Sequence, residues 1–353
     1  MTWCTRRPRW DERPSRQAGH SVLCTLGSRS CNHHLRLRAP RIRGSVGIFR
    51  RNGCTSVPQT SNSGFFWIVF PVDRHLKISV DHPIFDSAST QRLLDCLRDD
   101  GLPHGREDSF KLSEGVLIAN RVMLGVRTRD ASADSLHRIS RKVGMPASFA
   151  PTFAQFLPKA NVVLFAIEEG PTECTFKVYL EFWDHVREDV LRTGSREPRL
   201  LYLGFKWRAG ESSGRVARYT CFPLLGTGEC LDRLAALYPA GADLQARRLA
   251  SDLVVACATR RPAASFVYVE VAEEGTPRIS FDINLYKAEV PLHELESWLR
   301  RACLHFMVPK AEIETLVERV GSRLLGHLSG GVDRHGRGFL TVYYEIEPLQ
   351  PHH

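Results

Sequence analysis

The segment 175–182 places apolar and polar side chains in strict alternation. Lys177, Tyr179 and Glu181 share one face of the strand that this two-residue period predicts, and the other face is apolar. The apolar positions are Phe176, Val178, Leu180 and Phe182. On the inner face of a closed sheet, such residues would form a polar, cation-bearing lumen. That lumen suits a phosphorylated small molecule, because phosphate oxygens form strong charge-assisted hydrogen bonds with lysine and arginine.

Other strand-like segments repeat this pattern. Arg121, Lys206 and Arg218 each lie near the middle of a predicted strand. The tyrosines that share the phase of the polar residues are Tyr179, Tyr202, Tyr286 and Tyr343. Tyr219 falls out of phase with Arg218, so these two are predicted to face opposite sides of one strand. The alternative for each cation is an ion pair with a neighbouring acid, and for each tyrosine an ordinary barrel-lining role.

The net charge of +9 resides in the first part of the chain. Residues 1–60 contain twelve Arg, no Lys and two acids, a net charge of +10, which leaves −1 for all that follows. We interpret residues 1–63 as a disordered Arg-rich tail, or as upstream sequence read from a start codon placed too early. A transit peptide or a nucleic-acid-binding arm is the alternative. Since the body has no basic excess, we expect no nucleic-acid interface on it.

Several common kinds of site are excluded by residue spacing. The Cys residues of the body are scattered with no CxxC pair, which argues against a zinc site or a disulfide framework. They are Cys96, Cys174, Cys221, Cys230, Cys257 and Cys303. P-loop, dinucleotide-binding and serine-hydrolase motifs are absent, and no apolar run reaches the roughly 18–20 residues of a membrane helix. The sequence therefore predicts a cytoplasmic protein without a membrane span and without protein ligands for a metal.

Strand-like pairs joined by tight turns alternate with amphipathic stretches along the body. Hairpins make a sheet antiparallel, which excludes the Rossmann and TIM architectures. We predict an α+β fold: a closed antiparallel β-barrel of about ten strands ringed by helices. It would span residues 64–347, with a short tail at 348–353. The first pair is placed at Phe65–Phe70 and Leu76–Val80, and the first helix at Ser89–Leu97 with Ser89 or Thr90 as its N-cap.

This order of elements resembles the ABBA prenyltransferase fold (the PT barrel), and the local sequence most resembles the cyanobactin peptide prenyltransferases. The family has a catalytic acid followed at fixed distances by two short strands. The matching run is Glu107, then Ser109-Phe110-Lys111-Leu112, then Leu117-Ile118-Ala119-Asn120-Arg121. Shorter matches are Pro83-Ile84-Phe85, Phe176-Lys177-Val178-Tyr179-Leu180, Leu203-Gly204-Phe205 and Tyr343-Tyr344. The resemblance covers residues 83–346.

The resemblance implies transfer of an isoprenyl group, dimethylallyl in particular, from its diphosphate to a residue of a ribosomally made, cyclic peptide. Glu107 would be the general base that accepts the proton of the acceptor. The diphosphate would be bound by Arg121, Lys177, Lys206 and Arg218, and would bring Mg²⁺ with it. The allyl cation would be shielded by Tyr179, Tyr202, Tyr286 and Tyr343. The enzyme would be a monomer with the prenyl diphosphate and the peptide as partners.

Two positions depart from the family pattern: Glu181 replaces a basic residue and Lys206 replaces an acid. Glu181 and Asp282 would make the lumen more acidic, which favours an Arg, His or Trp acceptor over Ser or Thr. The alternative is that Glu181 pairs with Lys177 on the same face. A barrel enzyme or a binding protein for another phosphorylated small molecule stays open as a function, as does a prenyltransferase for small aromatic acceptors.

Overall fold

The computed structural model of the protein describes residues 87–170, 173–238, 242–277, 279–333 and 335–348. The tail at 1–63, the strands predicted at Phe65–Phe70 and Leu76–Val80, and the Pro83-Ile84-Phe85 motif lie outside the described residues. The domain limits and the monomeric state therefore stay predictions.

Ten strands in the described part of the chain form a closed antiparallel barrel. They are β1 Gly105–Ser113, β2 Val116–Arg127, β3 Val162–Glu169, β4 Cys174–Glu181, β5 Arg199–Arg208, β6 Arg215–Phe222, β7 Val267–Glu273, β8 Ile279–Asn284, β9 Leu325–Val332 and β10 Gly338–Pro348. Each strand pairs with its neighbours in sequence, and β1 closes the barrel by pairing with β10. Closure leaves no edge strand with unpaired backbone groups.

One or two helices precede each hairpin of the barrel. The helices are α1 Ala88–Asp99, α2 Ala133–Lys142, α3 Ala150–Phe156, α4 Trp183–Thr193, α5 Thr227–Ala236, α6 Leu244–Ala258, α7 Glu296–His305 and α8 Lys310–Val320. The predicted fold class, a ten-stranded antiparallel barrel with helices in an α-β-β-α order, is confirmed. Among the described helices, none combines the length and the apolarity that crossing a membrane requires.

The outer face of the barrel and the helices share two apolar cores. Strands β2 to β5 pack against α1, α2 and α3, with Val178 and Phe205 meeting Phe153 at zero exposure. Strands β1, β8, β9 and β10 pack against α5 to α8 in the same way. Burial of these outward side chains fixes the phase of each strand, because a one-residue slip would turn its apolar face inward. Lys177 and Lys206, which flank Val178 and Phe205 in sequence, therefore face the lumen.

Helix α4 covers one end of the lumen, called here its base. Its Val186 packs against Cys221 and Val269. Both side chains are in the inward phase of their strands, because Val269 is paired with Cys221 on one side and with the lumen residue Asp282 on the other. The lumen is thus closed at the base by apolar packing.

Two local predictions differ from the structure. Helix α1 is capped by Ser87, whose Oγ accepts a hydrogen bond of 3.1 Å from the Thr90 backbone N–H; the predicted caps Ser89 and Thr90 lie within the helix. All three residue types suit an N-cap, so the sequence pattern alone does not separate them. The alternating segment 175–182 is a strand only as far as Glu181, because Phe182 is the N-cap of α4, which begins at Trp183.

Gly204 on β5 makes room for a tyrosine ring in the lumen. A Cβ at this position would lie 2.8 Å from Cδ1 and 2.9 Å from Cε1 of Tyr179, closer than carbon atoms pack. We expect Gly204→Ala to lower the free energy of unfolding by about 1–3 kcal/mol, the cost of overpacking. Denaturant unfolding of the purified protein measures it.

The matched control is Gly228→Ala on α5, where an added Cβ meets nothing within 4 Å. This change should be neutral or stabilising by up to about 1 kcal/mol, because alanine is the better helix former. Equal effects of the two substitutions would contradict the close approach of Tyr179.

Candidate active site

The lumen contains a cavity of about 720 Å³. Every strand of the barrel contributes at least one inward side chain to its wall. The polar side chains are sorted along the barrel axis: cations and two acids form an upper layer near the open end, tyrosines form a middle layer, and acids with a histidine form the base.

Glu168 on β3 is the centre of the upper layer. Its Oε2 accepts hydrogen bonds from Lys177 Nζ at 2.5 Å and Arg121 Nε at 3.1 Å, and its Oε1 lies 3.4 Å from Lys111 Nζ. Arg121 also donates to Ser109 Oγ at 3.0 Å. The cross-strand pairing of Arg121 with Glu168 sets this geometry. Three cations from three strands thus converge on one buried carboxylate.

A second cluster forms on the opposite wall. Glu273 on β7 lies 3.3 Å from Lys206 Nζ and 3.6 Å from Arg215 Nη1. Together the two clusters contain five cations and two carboxylates, an excess of three positive charges. This excess faces the cavity, since all seven side chains lie on its wall.

The opposite charges of the upper layer shift one another's pKa values toward the charged forms. Burial raises the pKa of Glu168, but Lys177, Arg121 and Lys111 outweigh it and hold that pKa well below its usual range. Burial lowers the pKa of Lys177 to about 8 against the attraction of Glu168. For Arg121, burial also lowers the pKa, but Glu168 and Tyr343 together outweigh it, so its pKa is raised.

Tyrosines form the middle layer. The rings of Tyr179 and Tyr202 each meet Tyr219 edge-on, with centroids 5.6 and 5.8 Å apart. Two of the rings also contact cations of the upper layer: Lys206 Nζ lies 5.6 Å from the Tyr219 centroid, and Arg121 Cζ lies 5.5 Å from that of Tyr343. The π faces below the cations would stabilise positive charge that develops between them.

Glu107 on β1 lies at the base of the cavity and is 2% exposed. Its Oε1 accepts a 2.7 Å hydrogen bond from Tyr286 Oη. A β-bulge follows Glu107 in the pairing of β1 with β10, a feature that commonly re-aims a side chain. Burial raises the pKa of Glu107, although His327 and Tyr286 oppose the rise. Although Glu107 lies in the charged run Arg106-Glu107-Asp108, its side chain is therefore not a solvated surface acid.

His327 on β9 connects two acids of the base. Its Nδ1 lies 2.8 Å from Asp282 Oδ1, and its Nε2 lies 3.7 Å from Glu107 Oε1 and 3.1 Å from the Asn284 amide nitrogen. Burial lowers the pKa of His327, but Asp282 and Glu107 raise it to about 9. The two carboxylates favour the protonated imidazole. The Asn284 amide nitrogen, whose own Oδ1 accepts from the Tyr286 backbone N–H, is a donor and favours an unprotonated Nε2.

Glu181 shares the lumen phase of Lys177 but lies deeper, behind Tyr202. It is 2% exposed, and burial raises its pKa to about 8, opposed mainly by a hydrogen bond from Tyr202. Its Oε1 has no hydrogen-bond partner among the described residues. The alternative in which Glu181 pairs with Lys177 is wrong, because Lys177 pairs with Glu168.

Most of the predicted site residues line the cavity. They are Glu107, Arg121, Lys177, Tyr179, Tyr202, Lys206 and Tyr343, with Asp282 beside them. Tyr286 is placed differently: it lies in a short 3₁₀ turn after β8 and contacts Glu107 from behind. Its hydroxyl orients the acid and does not face the cavity.

Arg218 was predicted as a diphosphate ligand, and this prediction is wrong. Its side chain is 54% exposed and lies 3.7 Å from Glu274 on the outside of the barrel. The phase of β6 is set by its neighbour, because Ala217 packs opposite Gly204 inside the lumen. Tyr219 and Arg215 consequently point inward.

Five further side chains of the site escaped the sequence analysis: Lys111, Glu168, Arg215, Glu273 and His327. Lys111 belongs to the segment that matches the family. It lies four residues after Glu107, so the two side chains share one face of β1 if the strand is regular, and this spacing could have indicated that Lys111 faces the lumen. Glu168 and Glu273 each precede another acid, Glu169 or Glu274, so alternation alone does not show which acid faces inward.

The site offers no side-chain arrangement for a protein-held metal. Among the described residues, no three His, Cys, Asp or Glu side chains are grouped so that they could bind an ion. Both acids of the upper layer are engaged by cations.

No protein-family model and no curated protein matches the chain. Among solved structures, the chain is similar to 5-dimethylallyltryptophan synthase from Streptomyces coelicolor, with 14% identity, a TM-score of 0.45, and 68% of this chain and 80% of that one covered. AnaPT from Neosartorya fischeri has 13% identity and a TM-score of 0.45, with 71% and 80% covered. NotF in complex with brevianamide F and DMSPP has 14% identity and a TM-score of 0.40, with 70% and 81% covered. The assignment of a closed barrel is based on the strand pairing of this chain and not on these similarities.

The protonation of His327 can be measured directly. We expect NMR titration of the histidine side chains to show one imidazole with a midpoint near pH 9, where the ordinary value is 6.5. Asp282→Asn should move that midpoint toward 6.5, because it removes the largest stabilising charge. A wild-type protein in which every histidine titrates near 6.5 would contradict the buried pairing.

The raised pKa of His327 also predicts the direction in which the stability of the protein changes with pH. Since the folded-state pKa of His327 is raised, its contribution to the free energy of unfolding is fully present below pH 6.5 and is lost as the pH rises through about 9. The difference in Tm between wild type and His327→Gln should therefore shrink between pH 6.5 and pH 10. A difference that grows over this range would reverse the assignment.

Proposed function

We propose that this protein transfers an isoprenyl group from its diphosphate to an acceptor bound in the lumen. The observation that supports this most is the excess of three positive charges above a layer of tyrosines. A prenyl diphosphate is complementary to this arrangement, because it joins an anionic head to a hydrocarbon tail. Its anionic head carries about three negative charges once its last proton, with a pKa near that of a phosphate monoester, is lost. Its hydrocarbon tail would lie against the aromatic rings.

The upper layer would promote ionisation of the donor. As the bond between C1 and oxygen breaks, both electrons pass to the diphosphate, and its oxygens gain charge. Lys177, Arg121 and Lys206 lie on the cavity wall around that position and are held there by Glu168 and Glu273. Charges fixed before the reaction are the condition for electrostatic catalysis. The donor would displace part of the attraction that Glu168 and Glu273 now supply.

The tyrosine layer would protect the allyl cation. Tyr179, Tyr202, Tyr219 and Tyr343 surround the middle of the lumen, and their π faces attract a cation while excluding water. Water in this layer would capture the cation as an alcohol. A closed ring of aromatic side chains therefore favours transfer to the bound acceptor.

Glu107 would accept the proton that the acceptor releases when its new bond to carbon forms. Its carboxylate lies at the far end of the cavity from the cations, and burial raises its pKa. A raised pKa makes a carboxylate a stronger base. Tyr286 holds Oε1, which leaves Oε2 for the acceptor.

Dimethylallyl diphosphate is the proposed donor, and a residue of a ribosomally made, cyclic peptide is the proposed acceptor. A bound peptide would insert one side chain into the open end of the lumen. Mg²⁺ would arrive with the diphosphate, since the lumen side chains do not suit a protein-held ion. Small aromatic acceptors are the second candidate, because the tyrosine rings of the lumen would also stack on an indole.

The transfer itself is tested by incubating the full chain with C5, C10 and C15 diphosphates and a panel of cyclic peptides and small indoles. Mass spectrometry should detect an added isoprenyl group with the C5 donor. Transfer to indoles and not to peptides would establish the second candidate. No transfer with any pair, despite tight donor binding, would favour a binding protein.

Donor binding is expected to depend on Lys177. Replacement by methionine keeps the volume and removes one charge, so the affinity for dimethylallyl S-thiolodiphosphate should fall about 10- to 100-fold, as for a lost hydrogen bond to a charged group. Isothermal titration measures it. Arg218→Met is the control, because Arg218 lies outside the barrel and its loss should leave the affinity unchanged. Equal losses in the two variants would contradict a lumen site.

Turnover is expected to depend on Glu107 while donor binding does not. In Glu107→Gln the amide oxygen still accepts from Tyr286, so the fold and the donor affinity should be preserved. The rate of transfer should fall by about 100-fold or more, the usual effect of losing a general base. An unchanged rate would remove Glu107 from the reaction, and a lost donor affinity would place the diphosphate at the wrong end of the lumen.

A further inference from the structure

The base of the lumen has more acids than the histidine beside them balances. Glu107 and Asp282 lie on the cavity wall, and Glu181 lies behind Tyr202. The charges that act most on Glu107 and Glu181 are those of His327 and of further acids. The base is therefore negative where the upper layer is positive.

The cations and the acidic base are separated by the tyrosine layer. On β4, Lys177 and Glu181 are four positions apart, about 13 Å along a strand that rises about 3.3 Å per residue. Tyr179 lies between them. With the diphosphate at the cations and the dimethylallyl group along the tyrosines, an acceptor group bound at the acidic base would extend into the tyrosine layer to reach the allyl carbon.

Two carboxylate oxygens at the base are available to a ligand. Among the described residues, every hydrogen bond and ion pair of Glu107 uses Oε1, and every one of Asp282 uses Oδ1. Oε2 of Glu107 and Oδ2 of Asp282 are left as acceptors. Glu181 adds a third buried oxygen without a hydrogen-bond partner. Burying unpaired carboxylate oxygens is costly, so a ligand that supplies N–H donors and positive charge is favoured.

The walls beside these oxygens are aromatic. The Tyr343 ring lies 5.5 Å from the His327 ring, and Tyr202 lines the cavity between Glu181 and Glu107. A slot with aromatic faces and carboxylates on two sides fits a flat cation. A guanidinium is flat, presents its donors as a fork and stacks on aromatic rings, whereas an ammonium is compact and strongly hydrated. An indole has one N–H and no charge.

We propose that the base of the lumen is a guanidinium subsite and that the acceptor is an arginine side chain, an inference that rests on the prenyl transfer proposed above. Glu107 and Asp282 bind the guanidinium, and Tyr343 and Tyr202 flank it. Glu181 lies behind Tyr202, and burial raises its pKa to about 8, so it adds negative charge to the base only as the pH rises through that value. The departure of residue 181 from the basic residue of the family pattern is then a determinant of the acceptor.

The transfer balances in this arrangement. A guanidinium nitrogen uses its electron pair to form the bond to the allyl carbon, while the pair of the broken bond between carbon and oxygen leaves with the diphosphate. The same nitrogen loses one proton to Glu107 Oε2. The product keeps the positive charge of a guanidinium and stays matched to Asp282 until it leaves.

Binding of short acceptor probes to the full chain tests the subsite without turnover. Nα-acetyl-arginine methylamide is compared with the citrulline analogue, its neutral near-isostere, and with the tryptophan analogue, by isothermal titration with and without dimethylallyl S-thiolodiphosphate. We expect arginine to bind at least about tenfold more tightly than either, and Asp282→Asn to reduce this preference to about threefold or less. Glu107→Gln is the second variant if Asp282→Asn does not fold.

Glu211→Gln is the matched control, because it removes the same charge from the half-exposed rim of the cavity. It should keep the arginine preference. Citrulline or tryptophan binding as tightly as arginine, or no probe binding in either condition, overturns the subsite. Failure of the thiolodiphosphate to bind overturns the prenyl transfer instead, and the arginine comparison without it still decides the subsite.

Discussion

The lumen depends on one carboxylate that keeps three cations together in the absence of a ligand. Without a carboxylate between them, these three buried cations would repel one another, and each would have lost hydration without compensation. Glu168 removes this conflict by accepting from Lys177 and Arg121 and by lying next to Lys111. Its pKa is held well below the usual range, so it is charged at neutral pH. Glu273 has the same position on the opposite wall.

The two acids neutralise only part of the upper layer. The three positive charges that remain are the reason for placing an anion there, and the tyrosines below them are the reason for placing a hydrocarbon next to it. At the base the sign reverses, with the carboxylates of Glu107 and Asp282 on either side of His327. An anionic donor would bind at the upper layer and a cationic acceptor at the base. Their reacting atoms would meet between these layers, among the tyrosines.

Alternation along single strands was sufficient to predict the barrel and much of its lining. In β4 one face is wholly apolar, so the inward placement of Lys177 and Tyr179 follows from the sequence. In β6 both faces mix polar and apolar residues, so alternation does not show which face points into the lumen. The pairing of Ala217 with Gly204 on β5 decides it, and that pairing cannot be read from the sequence of one strand. Arg218 was misplaced for this reason. Glu168 was missed because its partnership with Arg121 depends on the register between β2 and β3. His327 becomes part of the site only through Asp282 on the adjacent strand.

A crystal structure of the full chain with dimethylallyl S-thiolodiphosphate bound would test the central claim most directly. The claim is that the charges of the lumen orient a prenyl donor along the barrel axis. The diphosphate should lie within hydrogen-bond distance of Lys177, Arg121 and Lys206, with the dimethylallyl group against Tyr179 and Tyr219 and its C1 pointing to the base. A donor bound outside the barrel, or one whose hydrocarbon lies among the cations, would contradict the account.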